Sequence, residues 1–209
     1  RKVLAELLRK RLKDKRIEAV FTEGGPAYDF ALREGAALFP DALLITNVPV
    51  LSGLGLLGER KLVHYPWRPD FIGTVEHALA SFPDTRRVLV VLGASASDRP
   101  HAESARAQLA RFDGRVEFEY TDALGYDEMI ARVEAAGPGT LILYQVFFGD
   151  VNGRSSVPIE VARAVSQRAK VPVFVTSEVF VGLRMVGGSI LRTEAFGHGA
   201  GQIALNRLN

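Results

Sequence analysis

Cysteine is absent from the 209 residues of this chain, which excludes disulfide bridges and cysteine-based metal sites. Long apolar runs are missing as well. No stretch approaches the roughly 18 consecutive apolar residues of a membrane span, and no signal-peptide pattern is visible. Hydrophobic residues nevertheless make up 47% of the chain. These features indicate a globular chain that is stabilised by apolar packing rather than by covalent cross-links.

An excess of charge of either sign is also lacking. Lysine and arginine number 26, and aspartate and glutamate number 24, so the formal net charge is only +2. This balance gives no reason to expect nucleic acid or an acidic membrane as a partner. The basic residues between Arg9 and Arg16 have no aromatic side chains among them, and we interpret them as the solvated face of a helix.

Short apolar runs of strand length alternate with amphipathic helical patterns through most of the chain. Arg87–Gly93, for example, is a strongly apolar run that precedes a helix ending near Phe112. Such alternation predicts parallel βαβ units. Two prolines around Trp67 interrupt the pattern at Tyr65–Phe71, and a second interruption falls near Val179–Arg184. We therefore predict two α/β lobes that are joined by two crossings and enclose a cleft.

The stretch Val171–Leu191 contains two apolar runs with a polar segment between them. We predict that both runs, Val171–Val175 and Met185–Leu191, are buried strands, because continuous Val, Ile and Leu are typical of strands covered on both faces. The polar residues after the first run fall at the carboxyl end of a parallel strand, where open sheets of this kind bind ligands. This position predicts a binding site there.

The chain opens directly on a helical pattern with four leucines on one face: Leu4, Leu7, Leu8 and Leu12. Because an α/β unit normally begins with a strand, we expect this sequence to be a piece of a longer protein. A targeting signal or membrane anchor would then lie outside it.

Catalytic and metal-binding signals are weak. None of the four histidines is paired at metal-ligand spacing, and the helical positions of three of them, His77, His101 and His198, favour structural roles. Gly93–Ser97 is the nearest match to a nucleophile elbow, but it lacks the second glycine. We therefore predict no catalytic residue and no metal site, while a Ser/His/Asp triad stays open.

Several segments carry a family resemblance. Residues 172–189 read P-V-F-V-T-S-E-V-F-V-G-L-R-M-V-G-G-S, and Glu194-Ala195-Phe196-Gly197-His198 with a terminal helix follows. Phe39-Pro40, and Leu141–Phe148 with the glycines after it, agree with the same pattern. The chain resembles the periplasmic-binding-protein-like sensor domains of bacterial histidine kinases, which are related to substrate-binding proteins of ABC transporters. It departs from them at Glu178, where they have Asp, and at Arg184, where they have Gly.

The resemblance implies a type I periplasmic-binding-protein fold, which is α/β with two doubly wound parallel-sheet lobes around a central cleft. Lobe 1 would comprise residues 1–71 and 182–209, and lobe 2 residues 72–181, with the first strand preceding Arg1. The implied function is non-catalytic: an extracytoplasmic, periplasmic sensor domain of an inner-membrane histidine kinase, closing by a hinge on a small molecule. The kinase module and the membrane anchor would lie elsewhere in the parent chain.

Ligand contacts are predicted at a glycine pair, at strand ends and in the linker, where polar and aromatic side chains converge. The predicted residues are Gly24, Gly25, Tyr28, Asn47, Tyr65, Ser95, Tyr144, Gln145, Phe147, Thr176, Ser177 and Glu178. The glycines would offer backbone N–H groups to an anion, and Glu178 would pair with an amine or accept from hydroxyls. No cofactor and no nucleic acid are expected, and homodimer formation is left open.

Three alternatives remain at this point. A stand-alone substrate-binding protein of an ABC transporter would have the same domain and differ only in its flanks. A small α/β hydrolase or transferase would depend on Ser95. The effector half of a transcription regulator would need a DNA-binding module upstream.

Overall fold

The computed structural model describes residues 1–208, in which helices and strands alternate almost throughout. The helices are Lys2–Leu12 (α1), Gly24–Leu38 (α2), Phe71–Ser81 (α3), Arg99–Leu109 (α4), Tyr126–Ala135 (α5), Pro158–Arg168 (α6) and Thr193–Leu208 (α7). The strands are Ala19–Thr22 (β1), Leu43–Thr46 (β2), Leu62–His64 (β3), Arg87–Leu92 (β4), Glu117–Tyr120 (β5), Thr140–Val146 (β6) and Val173–Val175 (β7).

The strands form two parallel sheets. The first has the order β1-β2-β3 and the second the order β5-β4-β6-β7. The predicted α/β class with parallel sheets is therefore confirmed. No helix in the described part of the chain is long and apolar enough to cross a membrane.

The chain divides into two compact units. Unit 1 consists of Arg1–Arg68 and the segment from Glu194 onward, and unit 2 is the continuous stretch Pro69–Thr193. The lobe boundaries that the sequence suggested, after residues 71 and 181, stay predictions, as does the cleft. Asn209, which ends the predicted lobe 1, lies outside the described residues.

Unit 2 buries both faces of its sheet. On one face Leu89 and Val91 of β4 belong to a core cluster with residues of α5 and α6, and on the other face Val88 and Val90 pack with α3 and α4. Because neighbouring side chains of a strand point to opposite faces, a strand covered on both sides must be apolar at every position. This explains the unbroken V-L-V-V-L run of β4.

Unit 1 has a smaller core, in which Leu44 of β2 packs with Tyr28 and Leu32 of α2. The helix predicted at the start of the chain is confirmed as α1. Ala5 is its buried residue, whereas Leu4 and Leu7 are 47% and 49% exposed. Helix α1 is also shorter than its basic run suggested, since it ends at Leu12.

Strand β6 carries one residue more than its partner. Val91 of β4 pairs with Tyr144, and the next residue, Leu92, pairs with Val146. Gln145 is therefore the extra residue of a β-bulge, a feature that bends a strand and redirects its side chains. The bulge lies near the carboxyl end of β6.

The prediction of a strand at Met185–Leu191 is wrong. The segment runs beside β7 and makes isolated bridges to Phe174 and Ser177, but it forms no continuous strand. Gly187 and Gly188 have φ angles of 126° and 154°, outside the extended conformation of a regular strand. A Cβ at Gly188 would collide with the carbonyl oxygen of Val175 and with Thr74. The segment belongs to unit 2.

Candidate ligand-binding edges

The carboxyl ends of the parallel strands form one edge of each sheet, and most of the predicted site residues lie at these edges. In unit 2 the chain passes from β4 to β5 on one side and then crosses to β6 on the other side. The winding direction thus changes between β4 and β6. Open α/β sheets bind ligands at such a point, outside the carboxyl ends of the strands.

At the carboxyl edge of unit 1, two of the predicted residues meet. The backbone N–H of Gly24 donates to Asn47 Oδ1 at 2.8 Å. Gly24 is the first residue of α2, with φ of 75°, and the Glu23 side chain that precedes it does not cap the helix. The glycine pair therefore lies in the first turn of the helix.

The first turn of α2 keeps one further backbone donor. Helices leave the N–H groups of their first turn without partners inside the helix. Gly24 N–H is taken by Asn47, and Pro26 has no N–H. This leaves the N–H of Gly25, an exposed residue, at the positive end of the helix dipole.

Polar side chains form a row across the end of the unit 1 sheet. The strand register places Thr22 of β1 beside Thr46 of β2, and Thr46 beside His64 of β3, so the three side chains share one face of the sheet. This is also the face of Leu44, which packs with α2. Thr22 donates to the carbonyl oxygen of Ile45, and His64 Nε2 lies 2.7 Å from the carbonyl oxygen of Val48.

Thr46 differs from its neighbours in this row. It is fully buried, and its Oγ1 has no hydrogen-bond partner in the described part of the chain. A buried hydroxyl without a partner is costly, and native structures contain few. The position of Thr46 at the strand end beside the start of α2 makes it a candidate ligand contact that the sequence did not suggest.

Tyr28 and Tyr65 have packing roles in unit 1. Tyr28 is buried, its hydroxyl donates to the carbonyl oxygen of Ser52 at 3.0 Å, and burial raises its pKa. The Tyr65 ring stacks on Phe196 of α7 at a centroid distance of 4.5 Å, and Trp67 packs edge-on against the same ring. Ligand contact by either tyrosine stays a prediction.

In unit 2, Ser95 contacts Asp98, the residue directly before helix α4. Asp98 is fully buried, and its carboxylate accepts from the backbone N–H of Ser95, Phe148 and Gly149 at 3.0 to 3.2 Å. It also accepts from the Ser95 hydroxyl at 2.6 Å. Asp98 thereby ties the loop after β4 to the loop after β6 at the point where the winding direction changes.

Gln145 and Thr176 meet at the same edge. The Thr176 hydroxyl donates to Gln145 Oε1 at 2.5 Å, and Gln145 Nε2 lies 3.5 Å from His101 Nδ1. Thr176 and Gln145 are almost completely buried, whereas His101 is partly exposed. Burial lowers the pKa of His101, and the negative charge of Asp98 opposes this shift.

Tyr144 and Phe147 lie in the hydrophobic core of unit 2. Both are 0% exposed; Tyr144 packs edge-on against Phe180, and Phe147 edge-on against Tyr126. The Tyr144 hydroxyl donates to the carbonyl oxygen of Pro158 at 2.6 Å, and burial raises its pKa. These contacts occupy both side chains, and ligand contact by them stays a prediction.

Ser177 and Glu178 hold the segment that follows β7. Ser177 Oγ accepts from the N–H of Val179 at 3.4 Å, at the start of a short 3-10 turn, Glu178–Phe180. Glu178 Oε1 accepts from the N–H of Thr193 at 2.6 Å. Both side chains are partly exposed, so a ligand contact at either residue would add to these bonds.

The Ser95 hydroxyl donates to the Asp98 carboxylate, and in the described part of the chain no histidine is bonded to it. A serine nucleophile needs a base that takes its proton, usually histidine. No group of three or more His, Asp or Glu side chains suited to a metal ion occurs among residues 1–208.

Sequence reasoning missed three residues of these edges: Thr46, Asp98 and His101. From the sequence, His101 was expected to have a structural role on a helix, and neither Thr46 nor Asp98 was among the predicted site residues. The missing signal is spatial, because Asp98 and His101 have partners that are distant in sequence; Phe148, for example, is 50 residues from Asp98.

Comparison with known proteins gives similarity of fold only. No protein-family model matches the chain, and no curated protein matches its sequence. A conserved domain protein from Vibrio cholerae superimposes with a TM-score of 0.58 at 11% identity, over 96% of this chain and 66% of that one. The ABC domain of Streptococcus pneumoniae in complex with L-Trp superimposes with a TM-score of 0.58 at 13% sequence identity, over 98% of this chain and 70% of that one.

A third structure, the branched-chain amino acid transporter substrate binding protein LivJ of Streptococcus pneumoniae in complex with isoleucine, gives a TM-score of 0.49 at 14% identity, over 86% of this chain and 51% of that one. The chain spans about two thirds of the length of the first two structures. The chain is therefore similar in fold to the first two of these structures.

Proposed function

We propose that this chain is a non-catalytic domain that binds a small molecule carrying a carboxylate, and that the carboxyl edge of unit 1 holds that group. The buried, unpartnered hydroxyl of Thr46 is the observation that carries the proposal. A hydroxyl at this position can donate to a carboxylate oxygen, and the bond would remove the cost of burying it alone.

The start of α2 supplies the second part of this site. The Gly25 N–H and the helix dipole favour a negative group at this terminus. Asn47 holds the terminus in place through Gly24. The two glycines have no side chain that would block the approach of a ligand to the backbone, so the backbone N–H stays accessible.

A free amino acid fits the charges of this edge. Glu23, directly before the helix, is exposed and negative, and could accept from an ammonium group while the helix terminus holds the carboxylate. The ABC domain of similar fold was crystallised with L-Trp, which favours the same ligand class. We therefore propose a zwitterionic amino acid as the ligand. Contact of one ligand with both units, which the sequence predicts, stays a prediction.

For the biological setting we propose the extracytoplasmic sensor domain of a membrane-bound histidine kinase, which rests on the resemblance of residues 172–189 to such domains. The alternative is a substrate-binding protein of an ABC transporter, which the likeness to the ABC domain favours. The two differ in the parent gene. A membrane span with a kinase core would support the sensor, and a lipid-anchored domain without a kinase would support the transporter.

Isothermal titration calorimetry of the purified chain tests the ligand class. The titrants are free L-amino acids, beginning with L-tryptophan, together with tryptamine, which lacks the carboxylate, and indole-3-propionate, which lacks the ammonium. We expect an amino acid to bind and tryptamine not to bind. Thr46→Val should weaken binding about tenfold, the loss expected for one hydrogen bond to a charged group.

Thr22→Val is the matched control, because Thr22 has the same chemistry but its hydroxyl already donates to Ile45. We expect it to leave ligand affinity nearly unchanged. Binding of tryptamine as tight as that of tryptophan would refute a carboxylate site. Failure of every amino acid to bind would refute the ligand class.

A further inference from the structure

The side-chain amide of Asn47 has one end that the fold uses and one end that it does not use. Its Oδ1 accepts from the backbone N–H of Gly24, the first residue of α2, at 2.8 Å. A backbone N–H can only donate, so the atom at this distance must be the oxygen, and this bond fixes the orientation of the amide. The Nδ2 group, which carries two N–H donors, therefore lies on the side of the amide away from Gly24.

In the described part of the chain no group accepts from Asn47 Nδ2, although Asn47 is only 6% exposed. The backbone groups of Asn47 are both paired, since its N–H donates to the carbonyl oxygen of Thr22 and its carbonyl oxygen accepts from Trp67. Buried polar groups normally have a partner, so an unpaired amide in a residue buried to this degree indicates a missing acceptor. Unlike Thr46 Oγ1, Nδ2 is not completely enclosed, and a molecule at the strand ends can reach it.

Asn47 shares this property with the residue before it in the chain. The Thr46 hydroxyl is buried without a partner, and Asn47 is bonded to the first residue of α2. The exposed Gly25 N–H lies at the same helix terminus, where the helix dipole favours a negative group. The Thr46 hydroxyl, the Asn47 amide nitrogen and the Gly25 N–H can all donate. The partner that they lack is an acceptor, which the oxygen atoms of a carboxylate supply.

We propose that Asn47 is a specificity-determining residue, whose Nδ2 donates to the carboxylate of the ligand while its Oδ1 holds the start of α2. The proposal rests on the proposed function and adds that a single amide both fixes the helix terminus and recognises the ligand. Nδ2 can donate but cannot accept, so it favours a carboxylate over an ammonium group in the same place. Rejection of ligands without a carboxylate therefore depends in part on this one atom.

Asn47→Asp separates the two roles of the side chain. An aspartate keeps an oxygen for the Gly24 N–H, and its negative charge suits the positive end of the α2 dipole, so the melting temperature should not fall. The same substitution replaces the Nδ2 donor by an oxygen that repels a carboxylate. In calorimetry we expect L-tryptophan to bind about a hundredfold more weakly to this variant. Equal affinity of variant and wild type would overturn the role given to Asn47.

Asn206→Asp is the matched control for the added charge. Asn206 is an exposed residue of α7 in the same unit, and its Oδ1 also accepts a hydrogen bond, from Gln202 Nε2 at 2.9 Å. The substitution keeps that acceptor and adds one negative charge, as it does at Asn47, and the affinity for L-tryptophan should be unchanged. A loss equal to that of Asn47→Asp would show that net charge weakens binding, and would overturn the contact.

The wild-type chain allows a second measurement, which does not depend on whether a variant folds. In ¹⁵N–¹H NMR spectra, the signals of the Asn47 side-chain NH₂ group should shift when L-tryptophan is added to saturation, whereas those of Asn206 should not. Unchanged Asn47 signals in a chain that binds L-tryptophan would refute the contact.

The outcomes separate this proposal from the proposed function. If the wild-type chain binds L-tryptophan and Asn47→Asp binds it equally well, the role of Asn47 is refuted while the ligand-binding function stands. If the wild-type chain binds no amino acid, the proposed function fails, and the contact proposed for Asn47 fails with it.

Discussion

Ser95 donates both its backbone N–H and its hydroxyl to the same carboxylate oxygen of Asp98, at 3.0 and 2.6 Å. The other carboxylate oxygen accepts from Phe148, in the loop after a different strand. Asp98 thus fixes the shape of two loops at the carboxyl edge of the unit 2 sheet. A Cβ at Gly93 would collide with Asp98, so the fit also depends on a glycine.

Removal of the Asp98 carboxylate should destabilise the chain strongly. Asp98→Ala leaves three backbone N–H groups without their acceptor, and we expect the free energy of unfolding to fall by about 3 kcal/mol or more. Urea denaturation measures this. Asp122→Asn is the control, because Asp122 pairs with Arg106 at the surface, and it should cost about 0.5 kcal/mol. Equal losses would contradict the role given to Asp98.

Replacing either of the two threonines at the end of the unit 1 sheet with valine should change the free energy of unfolding, in opposite directions for the two positions. Thr46→Val replaces a buried hydroxyl without a partner by a methyl group, so we expect a gain in unfolding free energy of about 1 kcal/mol. Thr22→Val removes a bonded hydroxyl and should cost about 1 kcal/mol. Thermal or urea denaturation without ligand checks both, and a loss of stability in Thr46→Val would show that its hydroxyl is satisfied.

Gly188 should tolerate no side chain. Its φ of 154° is unfavourable for other residues, and a Cβ would collide with the Val175 carbonyl oxygen and with Thr74. We expect Gly188→Ala to lower the free energy of unfolding by about 3 kcal/mol. Gly182→Ala lies in the same segment with φ of 91° but in open space, and should cost about 1 kcal/mol. Chemical denaturation distinguishes the two, and similar values would contradict the collision.

His101 should make stability depend on pH in a known direction. Burial lowers its pKa in the folded chain, so the unfolded chain binds a proton first as the pH falls through about 6.5, and stability is lost below that pH. Asp98 is the charged group facing it, and it moderates the effect. The fall in melting temperature between about pH 7.5 and about pH 5.5 should be smaller in His101→Gln. An identical fall would show that His101 does not titrate in this range.

The strands that are covered on both faces could be predicted closely from the sequence. Arg87–Gly93 was predicted and Arg87–Leu92 is observed, because a doubly buried strand has to be apolar throughout. Apolar content alone misled at Met185–Leu191, where two glycines with positive φ keep the backbone out of a regular strand. The apolar residues of this segment indicate burial, but apolar content does not determine the conformation of the backbone.

The edges were harder to predict than the strands. The position of the site candidates after each strand follows from parallel βαβ topology, so Asn47, Ser95 and Thr176 could be placed there. Whether a side-chain hydroxyl has a hydrogen-bond partner depends on packing between segments that are distant in sequence. The unpartnered state of Thr46 and the burial of Asp98 are properties of the folded chain, and no local pattern records them.

The bulge at Gln145 limits the insertions and deletions that the end of β6 can accept in evolution. An extra residue shifts the alternation of side chains, so that Tyr144 and Phe147, three positions apart, belong to the same core cluster. A chain shorter by one residue here would turn Phe147 to the opposite face. Insertions and deletions in the strand end should therefore be selected against more strongly than substitutions of Gln145 itself, although loops a few residues away tolerate changes in length.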